Sequence, residues 1–212
     1  MVDTLGDFDA ALNAMLAQLG LPGIARAAIE PMVGKGTEHL LRAVLAHVRA
    51  PAGRYGAAWA AYHEHYLRIN GRHSVVYPGV AEGLEGLRQA GLQLACLTNK
   101  PTALAQQLLV AKGLRPFFAH VFGGDAFERQ KPDPLPLRKT CEALASLPAR
   151  TLVIGDSSND ARAARAAGCP VVLVTYGYNH GQPVRGVDAD GFLDSLAALP
   201  AWLSPAGPVT RP

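Results

Sequence analysis

The 212-residue chain has no long apolar run, few cysteines and no concentrated charge, and each shortage removes a class of function. No apolar stretch reaches the ~18 residues that a membrane-spanning helix needs. The first 20 residues carry three Asp and no Lys or Arg, the wrong charge for a secretory leader. The three cysteines, Cys96, Cys141 and Cys169, stand far apart among apolar neighbours. That is no disulfide framework, and small core residues in a reducing, cytoplasmic setting are expected. Net charge is +3, with the 20 Lys and Arg scattered and no basic run interleaved with aromatics. Neither nucleic acid nor membrane is an expected partner. Internal repeats are absent too.

What is present is enough apolar residue, 49%, to build a core, and two kinds of pattern. Up to about residue 73 the chain reads as helices and short loops without a convincing strand. Leu5, Phe8, Leu12, Met15, Leu16 and Leu19 recur at helical spacing, with Thr4 and Asp7 as a variant capping box and Gly20 as the stop. Further helices are expected over 37–48 and 54–69, the latter with an aromatic stripe (Tyr55, Trp59, Tyr62, Tyr66) read as core. From Tyr77 on, helices alternate with short apolar runs. LQLACLT, AHVFGG, TLVIGD and PVVLVTYG read as strands. VAEGLEGLRQAG, PTALAQQLLVAKG, PDPLPLRKTCEALASL and SSNDARAARAAG read as helices. DADGF, at 188–192, reads as a turn before a helix. Such alternation predicts βαβ units and a parallel sheet, hence an α/β fold with helices on both faces.

Ligands of such sheets sit at the carboxyl ends of the strands, and the polar residues fall there. Thr98 and Asn99 follow LACL, Asp156 and Ser157 follow LVIG, and Tyr176 and Asn179 follow VVLV. Lys131 lies in the loop before the PDPLP helix. Asp156 and Asp160 bracket GDSSND, and carboxylates at a strand end suit Mg²⁺, which takes one or two of them plus water and phosphate oxygens. Asp156 or Ser157 could equally just cap the next helix. Lys131 is a point charge able to neutralise phosphate. Thr98 offers a hydroxyl, and the amides of Thr98, Asn99 and Lys100 could cradle an oxyanion.

In this order and spacing, LTNKP, QKPDP and GDSSND resemble the second to fourth motifs of the haloacid dehalogenase-like hydrolases. VDTLGDFDAALNAMLAQLGLP, MVGKG and TYGYNHG are similar to that family's bacterial phosphoglycolate phosphatases. The resemblance implies a Rossmann-like core over 76–205, an α-helical cap over 1–75 and a flexible tail over 206–212. It implies Mg²⁺-dependent hydrolysis of a small phosphorylated metabolite, 2-phosphoglycolate, through an aspartyl-phosphate. Lys131 and Thr98 would be catalytic. Thr98, Asn99, Lys100 and Lys35 would bind substrate, and Asp156 and Asp160 would serve the metal, Asp160 by orienting it. Lys35 could meet the substrate carboxylate, or be a solvated loop lysine. The family's first motif, an Asp-x-Asp-Gly-Thr turn after a central strand, carries the nucleophile, and this sequence contains no such turn. The resemblance therefore predicts an inactive or unstable chain and a natural start ten to twenty residues upstream. A non-catalytic remnant, and a phosphatase or mutase for another small phosphorylated metabolite, are the alternatives. A monomer or homodimer in the cytoplasm is expected.

Overall fold

The computed structural model describes residues 1–203, so the expected tail over 206–212 lies outside the described residues. Among those described, chain order is β1 (Val2–Asp3), α1 (Leu5–Gln18), α2 (Arg26–Ile29), α3 (Thr37–His47), α4 (Tyr55–Ile69), β2 (Val75–Val76), α5 (Val80–Gln89) and β3 (Ala95–Leu97). Then come α6 (Thr102–Ala111), β4 (His120–Phe122), α7 (Leu135–Ala143), β5 (Val153–Gly155), α8 (Ser158–Ala167), β6 (Val171–Val174), β7 (Gly191–Leu193) and α9 (Leu199–Leu203). No helix among them is long and apolar enough to cross a membrane.

The α1 periodicity produces the expected buried face: Ala11, Leu12, Met15 and Leu16 are fully enclosed. They pack with Leu41 and Val44 of α3 and with Ala58, Tyr62 and Tyr66 of α4 into one cluster. Trp59 corrects the aromatic stripe, since it turns outward and stacks on His63 instead of entering the core. The expected capping box at Thr4 also fails, because no side-chain cap forms there. Asp7 is drawn elsewhere. It is fully buried and accepts from the Gly71 and His73 amides, both at 2.7 Å, and from the Ser74 hydroxyl. A buried carboxylate needs such partners, and the three bonds tie α1 to the chain where it leaves α4. Beside them β1 pairs antiparallel with β2, Val2 against Val76. This two-residue strand corrects the all-helical reading of the first 73 residues. Its pairing is non-local, so no local pattern announces it.

The parallel strands form two separate ribbons. β3 pairs with β4, Cys96 against Val121, and β6 lies between β5 and β7. β6, paired on both edges, is buried at all four residues. β3 and β5 each have one paired edge and are only partly buried. Of LQLACLT only Ala95–Leu97 forms the strand, and Leu92, before it, is 46% exposed. Helices bridge the ribbons on both faces. Val80, Leu84 and Leu87 of α5 join Cys96 of β3 to Val172 of β6 and Leu193 of β7. On the other face Leu137 and Cys141 of α7 meet Ala161 and Ala164 of α8 and Val171 and Leu173 of β6. The three cysteines are buried and free, as expected.

Two boundaries move for local reasons. α7 starts at Leu135, after the prolines at 132 and 134, where the Asp133 carboxylate accepts from the Leu135 amide at 2.9 Å. DADGF does not precede a helix. Asp190 accepts from the Val171 amide and is clamped by Arg165, which directs the chain into β7.

Candidate active site

A cavity of about 1010 Å³ runs between the ribbons and opens where their strands end. Its walls include Leu94, Cys96, Ile154, Leu84 and Leu108, and its mouth holds Thr98, Asn99, Lys100, Lys131, Asp156 and Asp160. The six residues expected on different loops therefore meet at one rim. Lys35 does not line the cavity. It is exposed, although Gly34 and Gly36 on either side of it do line the wall.

Lys131 is the best-held charge at the rim. Its Nζ donates to the Leu97 carbonyl at 2.9 Å and to Asp160 Oδ1 at 2.7 Å. Burial works against its charge, but the Asp160 carboxylate outweighs it and keeps the ammonium above the usual lysine range. The Asn99 side chain is wholly committed to placing this lysine. Its Nδ2 donates to the Lys131 carbonyl at 2.9 Å, and its Oδ1 accepts from the Lys131 amide at 3.1 Å.

The carboxylates of GDSSND divide their work. Ser157 and Asp160 form a reciprocal capping box at the start of α8, so the capping alternative holds for Ser157 and not for Asp156, with Asp160 as the partner. Asp160 Oδ2 accepts from the Ser157 hydroxyl at 2.7 Å and its Oδ1 from Lys131. Asp156 has no such commitments. One oxygen accepts from the Tyr178 amide at 3.2 Å, and the other has no partner among the described residues. Burial pushes its carboxyl up to about 6, with Asp160 nearby adding to the rise. A desolvated carboxylate with a free oxygen fits a divalent cation. Gly177, at φ +111°, lets the next loop pass Asp156, since a Cβ there would collide with the carboxylate.

The expected cradle of three amides shrinks to one. The Thr98 amide donates to the Phe122 carbonyl and the Lys100 amide to Thr98 Oγ1. Only the Asn99 amide lacks a partner among the described residues. The Thr98 hydroxyl, by accepting from Lys100, keeps its own proton to donate.

Lys100 turns away from the Thr98 hydroxyl and the Asn99 amide. Its ammonium reaches the Tyr66 hydroxyl and lies over the Tyr66 and Phe8 rings, 4.4 and 5.4 Å from their centroids. Burial lowers its pKa from 10.5 to about 8. Between those values the unfolded chain holds a proton that the folded one sheds, so this group adds stability as pH rises. Below pH 8 the buried charge costs up to roughly 3 kcal/mol. Relative to K100M, wild type is therefore expected to gain stability between pH 7 and 10 in urea titrations. Parallel pH curves would exclude a buried ammonium.

Composition and spacing gave no sign of Tyr178. Its amide holds Asp156, and its hydroxyl bonds Asp3 and the Leu5 amide. Asn179 accepts from the Ser158 amide at 2.9 Å. The signals for this loop were the polar Tyr176 and Asn179 after a strand end and the likeness of TYGYNHG to the family.

Comparisons with known proteins agree with this geometry. The sequence pattern of the haloacid dehalogenase-like hydrolases matches residues 1–174. A plasmid-borne phosphoglycolate phosphatase of Cupriavidus necator is 44% identical over 207 residues, covering 97% of this chain and 90% of that protein. One from Thiobacillus denitrificans is 40% identical, over 93% of this chain and 88% of that protein. A solved structure described as a predicted phosphoglycolate phosphatase from Haemophilus somnus superposes with a TM-score of 0.89 at 30% identity, over 94% and 91% of the two chains. CbbY from Rhodobacter sphaeroides, solved with phosphate, superposes at 0.78 with 26% identity, over 94% and 91%. With its motifs gathered on one rim between two parallel ribbons, the chain belongs to the haloacid dehalogenase-like hydrolase family.

Proposed function

We propose that the rim binds Mg²⁺ and the phosphate of 2-phosphoglycolate, and serves its hydrolysis to glycolate and phosphate. The observation that carries this is the meeting of a buried lysine, a free carboxylate oxygen and a free hydroxyl proton at one mouth. Relatives at 44% and 40% identity named phosphoglycolate phosphatase support the substrate. Asp156 would hold Mg²⁺, with Asp160 orienting the site through Lys131 and Ser157. Bound there, Mg²⁺ would offset charge between an anionic nucleophile and the phosphoryl group. Thr98 Oγ and the Asn99 amide would donate to the phosphoryl oxygens, and Lys131 would neutralise charge that grows as the ester bond breaks. The helical layer over 1–75 would act as a cap that excludes water, with Lys35 meeting the substrate carboxylate.

Aspartyl-phosphate chemistry needs one more carboxylate. Among the described residues the acids lining the cavity are Asp156 and Asp160, and Asp160 is committed to Lys131 and Ser157. That observation favours a second reading, a chain that binds phosphate without turnover. Calorimetry separates binding from turnover. With Mg²⁺ present, inorganic phosphate and 2-phosphoglycolate are expected to compete for one site. D156N is expected to weaken both at least tenfold. Absence of phosphate binding would overturn both readings.

A further inference from the structure

Five residues after β6, Gly177–Gly181, touch three things at once. The Tyr178 amide holds Asp156, and Asn179 holds the start of α8. His180 reaches across to the helical layer, where its Nδ1 lies 3.0 Å from the Val33 carbonyl. A carbonyl only accepts, so Nδ1 carries the proton and Nε2 is bare. Nε2 is buried and has no hydrogen-bond partner among the described residues. Burial, with Lys35 nearby, lowers the pKa of the ring, in keeping with a neutral imidazole.

The contact is built on both sides. The ring lies against Gly34, where φ is +104° and an added Cβ would stand 2.9 Å from Cε1, so a larger residue would push the two apart. Asn159, on α8, donates to the Gly34 carbonyl at 3.3 Å. His180 is itself at φ +53°, the left-handed region that a non-glycine residue occupies at a cost. The surrounding contacts hold it there with its ring under the loop that carries Lys35.

We propose that His180 is a positioning residue: it latches the Val33–Gly36 loop over the mouth and so sets where Lys35 meets the non-phosphate end of the substrate. The identity of that ligand rests on the phosphatase reading, whereas the latch does not. Two variants of the whole chain test it. His180→Gly keeps the left-handed backbone and removes the ring. His180→Asn tolerates that backbone and can place an amide donor where Nδ1 stood.

In His180→Gly, amide hydrogen exchange over 33–36 is expected to rise about tenfold, while Leu12 and Tyr62 in the helical core keep their protection. Affinity for 2-phosphoglycolate is expected to fall roughly tenfold, about what one hydrogen bond can sustain, with inorganic phosphate unaffected. His180→Asn is expected to restore both. Unchanged exchange in His180→Gly, equal loss for the two ligands, or no rescue by His180→Asn would overturn the proposal. If wild type binds neither ligand, the phosphatase reading falls and Lys35 placement with it, and the exchange result alone decides the latch.

Discussion

Extending the chain upstream of Met1 by an apolar strand ending in Asp-x-Asp-Gly-Thr is expected to switch on phosphate release from 2-phosphoglycolate with Mg²⁺ and to raise the thermal midpoint steeply. The two ribbons show why. Among the described residues β3 and β5 each lack a partner on one edge, and the cavity between them is walled by Leu94, Cys96, Ile154 and Leu84. Met1 lines that cavity and its carbonyl accepts from the Tyr77 amide at 3.1 Å, so an added segment would start inside the groove. A strand running parallel to β3 and β5 would end beside Thr98, Lys131 and Asp156. It would bring a carboxylate to a rim whose lining acids, among the described residues, are Asp156 and Asp160.

The size of the effect follows from the backbone. A strand has ~5–6 residues. If about five buried groups gain partners at ~1–3 kcal/mol each, the gain is roughly 5–15 kcal/mol, an upper range because water satisfies some groups already. Even the lower end moves the midpoint by roughly 10 °C or more in a domain of this size. The measurement compares both chains by calorimetric melting and by Mg²⁺-dependent phosphate release. Turnover by the unextended chain would show that a carboxylate already present serves as nucleophile. A stable but inactive extended chain would favour phosphate binding without catalysis.

Lys131→Met is expected to cost about 3–5 kcal/mol and to abolish phosphate binding. The cost is the general one of leaving a buried carboxylate without its partner. Asp160 is 8% exposed at the side chain and Lys131 14%, so water replaces little of the lost contact. The Leu97 carbonyl loses its donor as well. A second variant separates stability from binding. In Lys131→Met with Asp160→Asn the buried charge is gone, while the new amide oxygen can still accept from Ser157. Most of the stability is expected to return in urea titrations, and phosphate affinity is not. A single variant within ~1 kcal/mol of wild type would mean that the pair is solvated, and the account of the rim would need another cation.

How far the sequence alone reached differs from residue to residue. GDSSND was legible as a strand–helix junction because its helix start depends on the capping box within four residues, Ser157 and Asp160. Lys131 and Thr98 were legible from motif order. The use of Asn99 was not, because its partner is the Lys131 backbone 32 positions on. Lys100 follows Asn99 directly, yet points to Tyr66 and Phe8, a direction that the packing of α1 and α4 decides. Asp7 sat where a capping residue belongs. It was captured by Gly71, His73 and Ser74, because a buried carboxylate gains more from three converging donors than from one helix end.

By itself the sequence determined the local things: the α1 face, the alternation of helix and strand, the order of the three motifs, and the burial of the cysteines. Each depends on residues within a few positions of one another, where periodicity and capping act. Tertiary structure alone decided the pairing of β1 with β2, the gap between the ribbons, the role of Tyr178 and the contact of His180 with Val33. The pairings of β1 with β2, of Tyr178 with Asp3 and of His180 with Val33 join residues 72 to 175 positions apart, and no spacing rule reaches that far. They exist because packing brings distant polar groups together, and buried polar groups must find partners wherever the fold places them.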